Sequence, residues 1–229
     1  MKLETDMDNF EQLKEICRQA CHERNACKPG FEALMRAETI PQIMQVWKDN
    51  WEDIYRSRFC GIMIRNIAGV YADSREEFNA AGIYVNEPSE HGLVIVCNAT
   101  EPVKVGGTAR AYIFTPARVT ATDNAQVYCR TAGSVISLHG HSSCRSEDRQ
   151  TAVDAHDFSS ADGEMQCRTY NASEVIITKG TLRDYGHRRI AAYGGVRVYS
   201  DTPRGIELGG QSRRYTLAEY PDPNNNDNE

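Results

Sequence analysis

Three groups of side chains in this chain have the types and spacing to do chemistry. His139 in SVISLHGHSS and His156 in TAVDAHDFSS occupy matching places in similar segments, with His141 and Asp157 close by. Imidazole beside carboxylate suits proton transfer or a transition metal. Cys17, Cys21 and Cys27 surround His22 in CRQACHERNAC, a set of zinc-ligand types. Near the C-terminus Arg183, Tyr185, His187, Arg188, Arg189, Tyr193, Arg197, Tyr199, Arg204, Arg213 and Arg214 place arginines among aromatics. Guanidinium forks take phosphate or carboxylate, and aromatic faces take planar rings.

Each group has a plainer explanation. Structural zinc sites pair cysteines across tight turns, whereas Cys17 and Cys21 share one helix face. Histidines recur in outward columns of stacked sheets as simple cross-strand pairs, and arginine with tyrosine is ordinary strand surface. No phosphate loop, nucleophile elbow or HExxH stretch occurs, and GGTAR at 106–110 has the spacing of a turn. The sequence therefore names no catalytic residue, no metal and no cofactor. An enzyme site, if there is one, belongs at His139 and His156. The ligand-binding residues expected are Arg183, Arg188, Arg189, Tyr193, Arg197 and Tyr199.

The elements that must position these residues follow from an internal repeat. Ile95, Val103, Ala111, Val119, Val127, Ile136, Cys144, Val153 and Ala161 recur at steps of eight or nine, and the register resumes at Val175, Leu182, Ile190, Val198 and Ile206. Two residues later runs a second column of mostly small side chains, from Cys97, Val105 and Ile113 to Ala192, Ser200 and Leu208. Ala109, Ala125, Ser142 and Ser159 precede anchors by two, while Gly107, Asp123, Gly140 and Asp157 follow by four. The unit reads small-x-aliphatic-x-small-x-Asp/Gly-x, a period-2 strand and a turn. One such strand cannot bury its inner face alone, so units must stack. Two units make one flattened coil, which predicts a parallel β-solenoid of about seven coils over 91–210. The competing fold is a sandwich of short strands. Acidic turns are too scattered for a calcium-binding β-roll, and a period of six is absent. Stacking puts Thr122, His139 and His156 in one outward column and Arg130, Glu147 and Glu164 in another.

With 229 residues, 40% hydrophobic and 25% charged, the chain is neither a membrane protein nor a disordered one by composition. The start MKLETDMDNF lacks an apolar signal segment, and Cys97, Cys129 and Cys144 fall on inward columns where thiols act as small hydrophobes. Free thiols and a cytoplasmic, membrane-independent protein are expected. The net charge is −6, yet residues 91–214 carry 13 Arg and 2 Lys against 12 acids. That preference for arginine favours bidentate anion contacts.

Residues 8–60 read as helices that cover the first coil, within a cap domain spanning 1–90. Asp8 with Glu11, Thr39 with Gln42 and Ser74 with Glu77 have capping-box spacing, and Trp47 and Trp51 are expected in the core. NACKPGFEAL, AETIPQIMQVWKDNW and AAGIYVNE resemble an uncharacterised family of short proteins from Bacteroides-type bacteria and their phages or mobile elements. The resemblance implies a bacterial or phage-encoded protein and brings no catalytic residue.

The fold class expected is thus α+β, a helical N-terminal cap followed by a parallel β-solenoid, with residues 211–229 as a C-terminal capping segment and acidic tail. The function expected is non-enzymatic binding or assembly, with an unknown protein as partner. The alternative is an anion binder, for nucleotide or nucleic acid, acting through the Arg/Tyr face and countering a host process. The tail after Pro221 is too polar to fold. An uncovered last coil predicts a homodimer through the C-terminal end.

Overall fold

The structure, a computed structural model, describes residues 8–24, 28–57 and 61–221. Helices come first: α1 (Asn9–Arg24), α2 (Lys28–Arg36), α3 (Ile40–Asp49), α4 (Trp51–Arg56), α5 (Gly61–Asp73) and α6 (Arg75–Ala80). The strands that follow pair only in parallel and wind into a β-solenoid with two walls. Wall A stacks β1 (Ile83–Val85), β2 (Leu93–Val96), β4 (Arg110–Ile113) and β6 (Gln126–Cys129). It continues through the first halves of β8 (Ser143–Ala155), β9 (Ser160–Thr169) and β10 (Glu174–Asp184), then β11 (Arg189–Ala192) and β13 (Ile206–Leu208). Wall B stacks β3 (Val103–Val105), β5 (Arg118–Ala121) and β7 (Val135–Leu138), the second halves of β8 to β10, then β12 (Arg197–Tyr199) and β14 (Arg213–Tyr215). The sheet therefore begins earlier than residue 91, at Ile83, and ends later than 210, at Tyr215.

Alternation decides what lies inside. Val119 and Ala121, Ile136 and Leu138, and Val153 and Ala155 pair rung on rung and are buried at 2% or less. Each large aliphatic side chain so buried contributes about 2 kcal/mol. The small residues before the anchors, Ala109, Ala125, Ser142 and Ser159, are fully buried at the corner between the walls. The first coil departs from the expected register. Val94 and Val96, not Ile95 and Cys97, pair with Ala111 and Ile113. The run LVIVC is apolar on both faces, so period-2 reading cannot say which face is inside. The irregular patch is a shorter coil: Cys167 sits between Val153 and Leu182. Gly163 and Gly180 permit it. At Gly180 φ is +122° and a Cβ would lie 1.8 Å from the Met165 carbonyl oxygen.

The helices cap the first rungs of the solenoid, as the sequence suggests, and do so along the outer face of wall A. Ile83, Val85, Ile95, Cys97 and Tyr112 join Leu13, Ile16, Ile43, Met44, Trp47, Trp51 and Phe78 in a second core. Tyr55 and Trp51 meet Tyr112 edge-on at 4.9 and 5.2 Å. Arg130 fastens the seam: its guanidinium lies 5.3 Å from the Tyr55 ring centre, donates to the Tyr55 and Arg56 carbonyls, and pairs with Glu147 at 2.7 Å. Residues 84–91 help close the first coil from within. Tyr84 packs inward and its hydroxyl meets His91 Nε2 at 2.8 Å, while Ser89 bridges to Val105. Of the helix caps, Asp8 accepts from the Glu11 amide and Thr39 from the Gln42 amide. Ser74 makes no cap bond, because its side chain is buried without a partner.

At the other end, residues 213–215 extend wall B as β14, and Arg214 takes the inward place beside Val198. Thr216 and Glu219 form a capping box on a 3-10 turn, and Tyr220 folds back onto the outside of wall B against Tyr199. Among the described residues no further strand pairs with the outer edges of β13 and β14, and Leu208 is 40% exposed. A charge at an inward register position of the last strand opposes strand addition. The acidic tail, Cys27 and Cys60 lie outside the described residues.

Candidate anion-binding face

Wall A and wall B have different outer surfaces. On wall A the helices cover the first rungs, and beyond them acids dominate: Glu147, Asp162, Glu164, Glu174 and Glu207 stand with Arg145, Lys179 and Arg189. Two of these three cations are drawn into pairs, Lys179 with Glu164 at 2.7 Å and Arg189 with Glu174 and Glu207 at 3.4 and 3.5 Å. The described α-helices pack on wall A, whereas the last rungs of wall B meet Tyr220 after the 3-10 turn. The central column of wall B runs Asp154, Arg168, Arg183, Tyr199, Tyr215, and one flanking column ends Thr181, Arg197, Arg213.

The other flanking column of wall B is a ladder of rings. His139 stacks on His156 at 4.7 Å, His156 on Tyr170 at 4.4 Å, and Tyr170 on Tyr185 at 5.3 Å. A second, shorter stack places His141 on Phe158 at 5.4 Å. The parallel register of the solenoid produces both, since it sets like positions one strand spacing apart. Burial and the neighbouring His139 lower the pKa of His156, which favours the neutral ring. Asp157 lies 3.9 Å from His139 Nδ1, but no group of three metal-ligand side chains exists among the described residues.

The expected ligand-binding residues are split by this geometry. Arg183, Arg197 and Tyr199 belong to wall B; Arg189 and Tyr193 belong to wall A; Arg188 is at the corner between them. Tyr193 donates to Glu207 at 2.7 Å, and Tyr199 is only 4% exposed beneath Tyr220. Arg188 and Arg189 line a shallow depression of about 530 Å³ with Glu174 and Glu207, so an anion there would meet two carboxylates. Wall B also brings in residues that the sequence reading passed over. Arg168, held by Asp154 through two 2.5 Å bonds, and Tyr170 lie in the contracted coil, where the broken period hid their alignment.

The charge on wall B is not neutralised toward the C-terminal end. Arg213 lies directly over Arg197 in the next rung, and among the described residues no carboxylate pairs with Arg183, Arg197 or Arg213. Arg183 instead rests 4.4 Å from the Tyr220 ring centre. Like charges in register repel, and an anion between them would remove that cost.

A buried cluster beneath this face resembles catalytic machinery in composition alone. The Asp184 and His187 side chains are 2% exposed. Asp184 accepts from Thr169, Gly186, Ser200 and His187, and His187 Nε2 faces the Arg204 carbonyl at 2.8 Å. Ser200 bonds to the carboxyl rather than to imidazole, so no base activates it. The cluster ties three successive coils together.

The chain matches no family model, no curated protein and no solved structure. The site is therefore argued from its own geometry. No helix among the described residues is long and apolar enough to cross a membrane.

Proposed function

We propose that this is a non-enzymatic binding protein whose helix-covered wall A is structural and whose wall B receives an anionic partner. The observation that carries the reading is the stacked, unpaired Arg197 and Arg213 beside Arg183. Guanidinium groups one rung apart suit the oxygens of phosphate, sulfate or carboxylate groups repeated along a polymer. The outward side chains of wall B form regular columns of rings and arginines along paired strands, an arrangement suited to binding an extended partner. A cytoplasmic setting fits the buried free thiols Cys97, Cys129, Cys144 and Cys167. A bacterial or mobile-element origin, and a role in countering a host process, belong to the same proposal and rest on the resemblance alone.

The test is titration of the full chain into labelled inorganic polyphosphate at several salt concentrations. Binding should weaken with salt, and the R197E/R213E double variant should weaken it roughly tenfold or more. R189E on wall A should change it little. Polyphosphate that fails to bind, or that binds the double variant as well as the parent, would overturn the proposal.

A further inference from the structure

The two ring stacks end in exposed faces that point toward the arginines. In the longer ladder Tyr185 is the last ring and is 52% exposed; the next rung in its column holds Asp201, not an aromatic. In the shorter stack Phe158 is last and is 60% exposed, with the small Ala172 in the following rung. Every interior ring of these ladders is covered on both faces by its neighbours. Tyr185 and Phe158 each leave one face without a partner, and next to each the side chain that would have continued the stack is missing.

Arg183 lies two residues before Tyr185 on the same outward side, about 7 Å away along the strand. Arg197 follows in the next rung, diagonal to Arg183, and Arg213 in the one after. A ring laid on Tyr185 would therefore have guanidinium groups within reach of a phosphate joined to it through a sugar. Asp201, whose Oδ1 accepts from the Leu217 amide at 3.0 Å, has its other oxygen available for an amino group at the edge of that ring.

We propose that wall B and the corner beside it bind single-stranded nucleic acid, with bases stacking on Tyr185 of the wall and Phe158 of the corner and backbone phosphates on Arg183, Arg197 and Arg213. This rests on the anion-binding reading of the same wall and adds the stacking component. Open stacking faces together with tracking cations define a site that takes unpaired bases with little regard to sequence. A duplex keeps its base faces covered and gains only the phosphate contacts. An acidic protein segment would gain the charge contacts and leave the rings unused.

Fluorescence anisotropy with the full chain separates these components. The probes are a labelled mixed-sequence single-stranded oligonucleotide, its duplex, inorganic polyphosphate and polyglutamate. The oligonucleotide should bind more tightly than the other three, with a slope of log affinity on log salt of about −2 for three phosphate contacts. Y185A and F158A should each weaken the oligonucleotide roughly tenfold and leave polyphosphate unchanged, while Y185F should behave as the parent. Both positions are exposed, so loss of folding does not follow from either change; circular dichroism identical to the parent verifies this. If oligonucleotide and polyphosphate bind alike and the ring variants alter neither, the stacking proposal fails while the anion-binding reading stands. Polyglutamate binding as tightly as the oligonucleotide would overturn it in favour of an acidic protein partner. Absence of binding to every polyanion overturns both.

Discussion

Replacing Asp184 with alanine should remove the C-terminal coils from the cooperative core. The Asp184 carboxyl oxygens accept four hydrogen bonds, from Thr169 Oγ1 at 2.8 Å, Gly186 N at 3.0 Å, His187 Nδ1 at 2.8 Å and Ser200 Oγ at 2.5 Å. Thr169, Asp184 and Ser200 occupy the same inward column on three successive strands of wall B. In D184A the Thr169 hydroxyl and the His187 imidazole would remain buried without that acceptor, while Ser200 Oγ keeps the Thr202 carbonyl at 2.9 Å. Each buried unsatisfied donor costs about 1–3 kcal/mol, and loss of one partner from a buried charged cluster costs about 3–5 kcal/mol. Part of the first sum is recovered if water enters, so a loss of about 3–5 kcal/mol is expected. Urea unfolding followed by circular dichroism measures it. Because coils interact mainly with their neighbours, residues beyond 184 should unfold first, as a separate transition. Hydrogen exchange in β12 and β14 should then quicken before that in β5 and β7. The triple change T169V/D184L/S200A, which removes donors and acceptor together, should cost far less than D184A. A D184A variant within about 0.5 kcal/mol of the parent would refute the reasoning, because surface changes of no structural consequence fall in that range.

Three further outcomes follow from individual residues. G180A should destabilise by about 2 kcal/mol or more, since its Cβ would lie 1.8 Å from a carbonyl oxygen at φ +122°; G69A, in an exposed helix interior with nothing within 4 Å, should stabilise by about 1 kcal/mol. The pair is read from urea midpoints. The pKa of His156 is lowered in the fold, so the unfolded chain binds the proton more readily. Stability is then fully present above the unfolded value of about 6.5 and falls as pH drops through the lowered one; H156Q should flatten that part of the pH–stability curve. Burial raises the thiol pKa of Cys97 to about 11 and also lifts those of Cys144 and Cys167 well above the ordinary thiol value. These thiols should resist a disulfide reagent at pH 8 in the folded protein and react once urea is added.

The repeat was legible because its signal is strictly local. An aliphatic anchor, a small residue two places on and Asp or Gly after that recur wherever two walls must approach closely, and the pairings of Val119, Ile136 and Val153 follow that rule. The rule failed where both faces are buried, at Ile95 and Cys97, since alternation vanishes when helices cover the outer side. It failed again at Cys167, where glycine-mediated bulges shortened the coil and moved Arg168 and Tyr170 out of the counted register. The His139–His156 stack was readable by counting one full coil. The Arg/Tyr group was recognised by composition, but the division of Arg189 from Arg197 between walls depends on which unit of the coil each belongs to. Arg214 illustrates the remaining limit: nothing in the local pattern RRYT says which of two adjacent arginines turns inward, and only its pairing with Val198 does.

The central claim is that wall B, and not wall A, receives the anionic partner. Arginine-directed dicarbonyl labelling read by mass spectrometry, with and without saturating polyphosphate, tests it residue by residue. Arg183, Arg197 and Arg213 should be protected by the polyanion, while Arg145 and Arg189 on wall A should label equally in both conditions. Protection concentrated on Arg145 and Arg189, or labelling of Arg197 and Arg213 unchanged at saturation, would contradict the account.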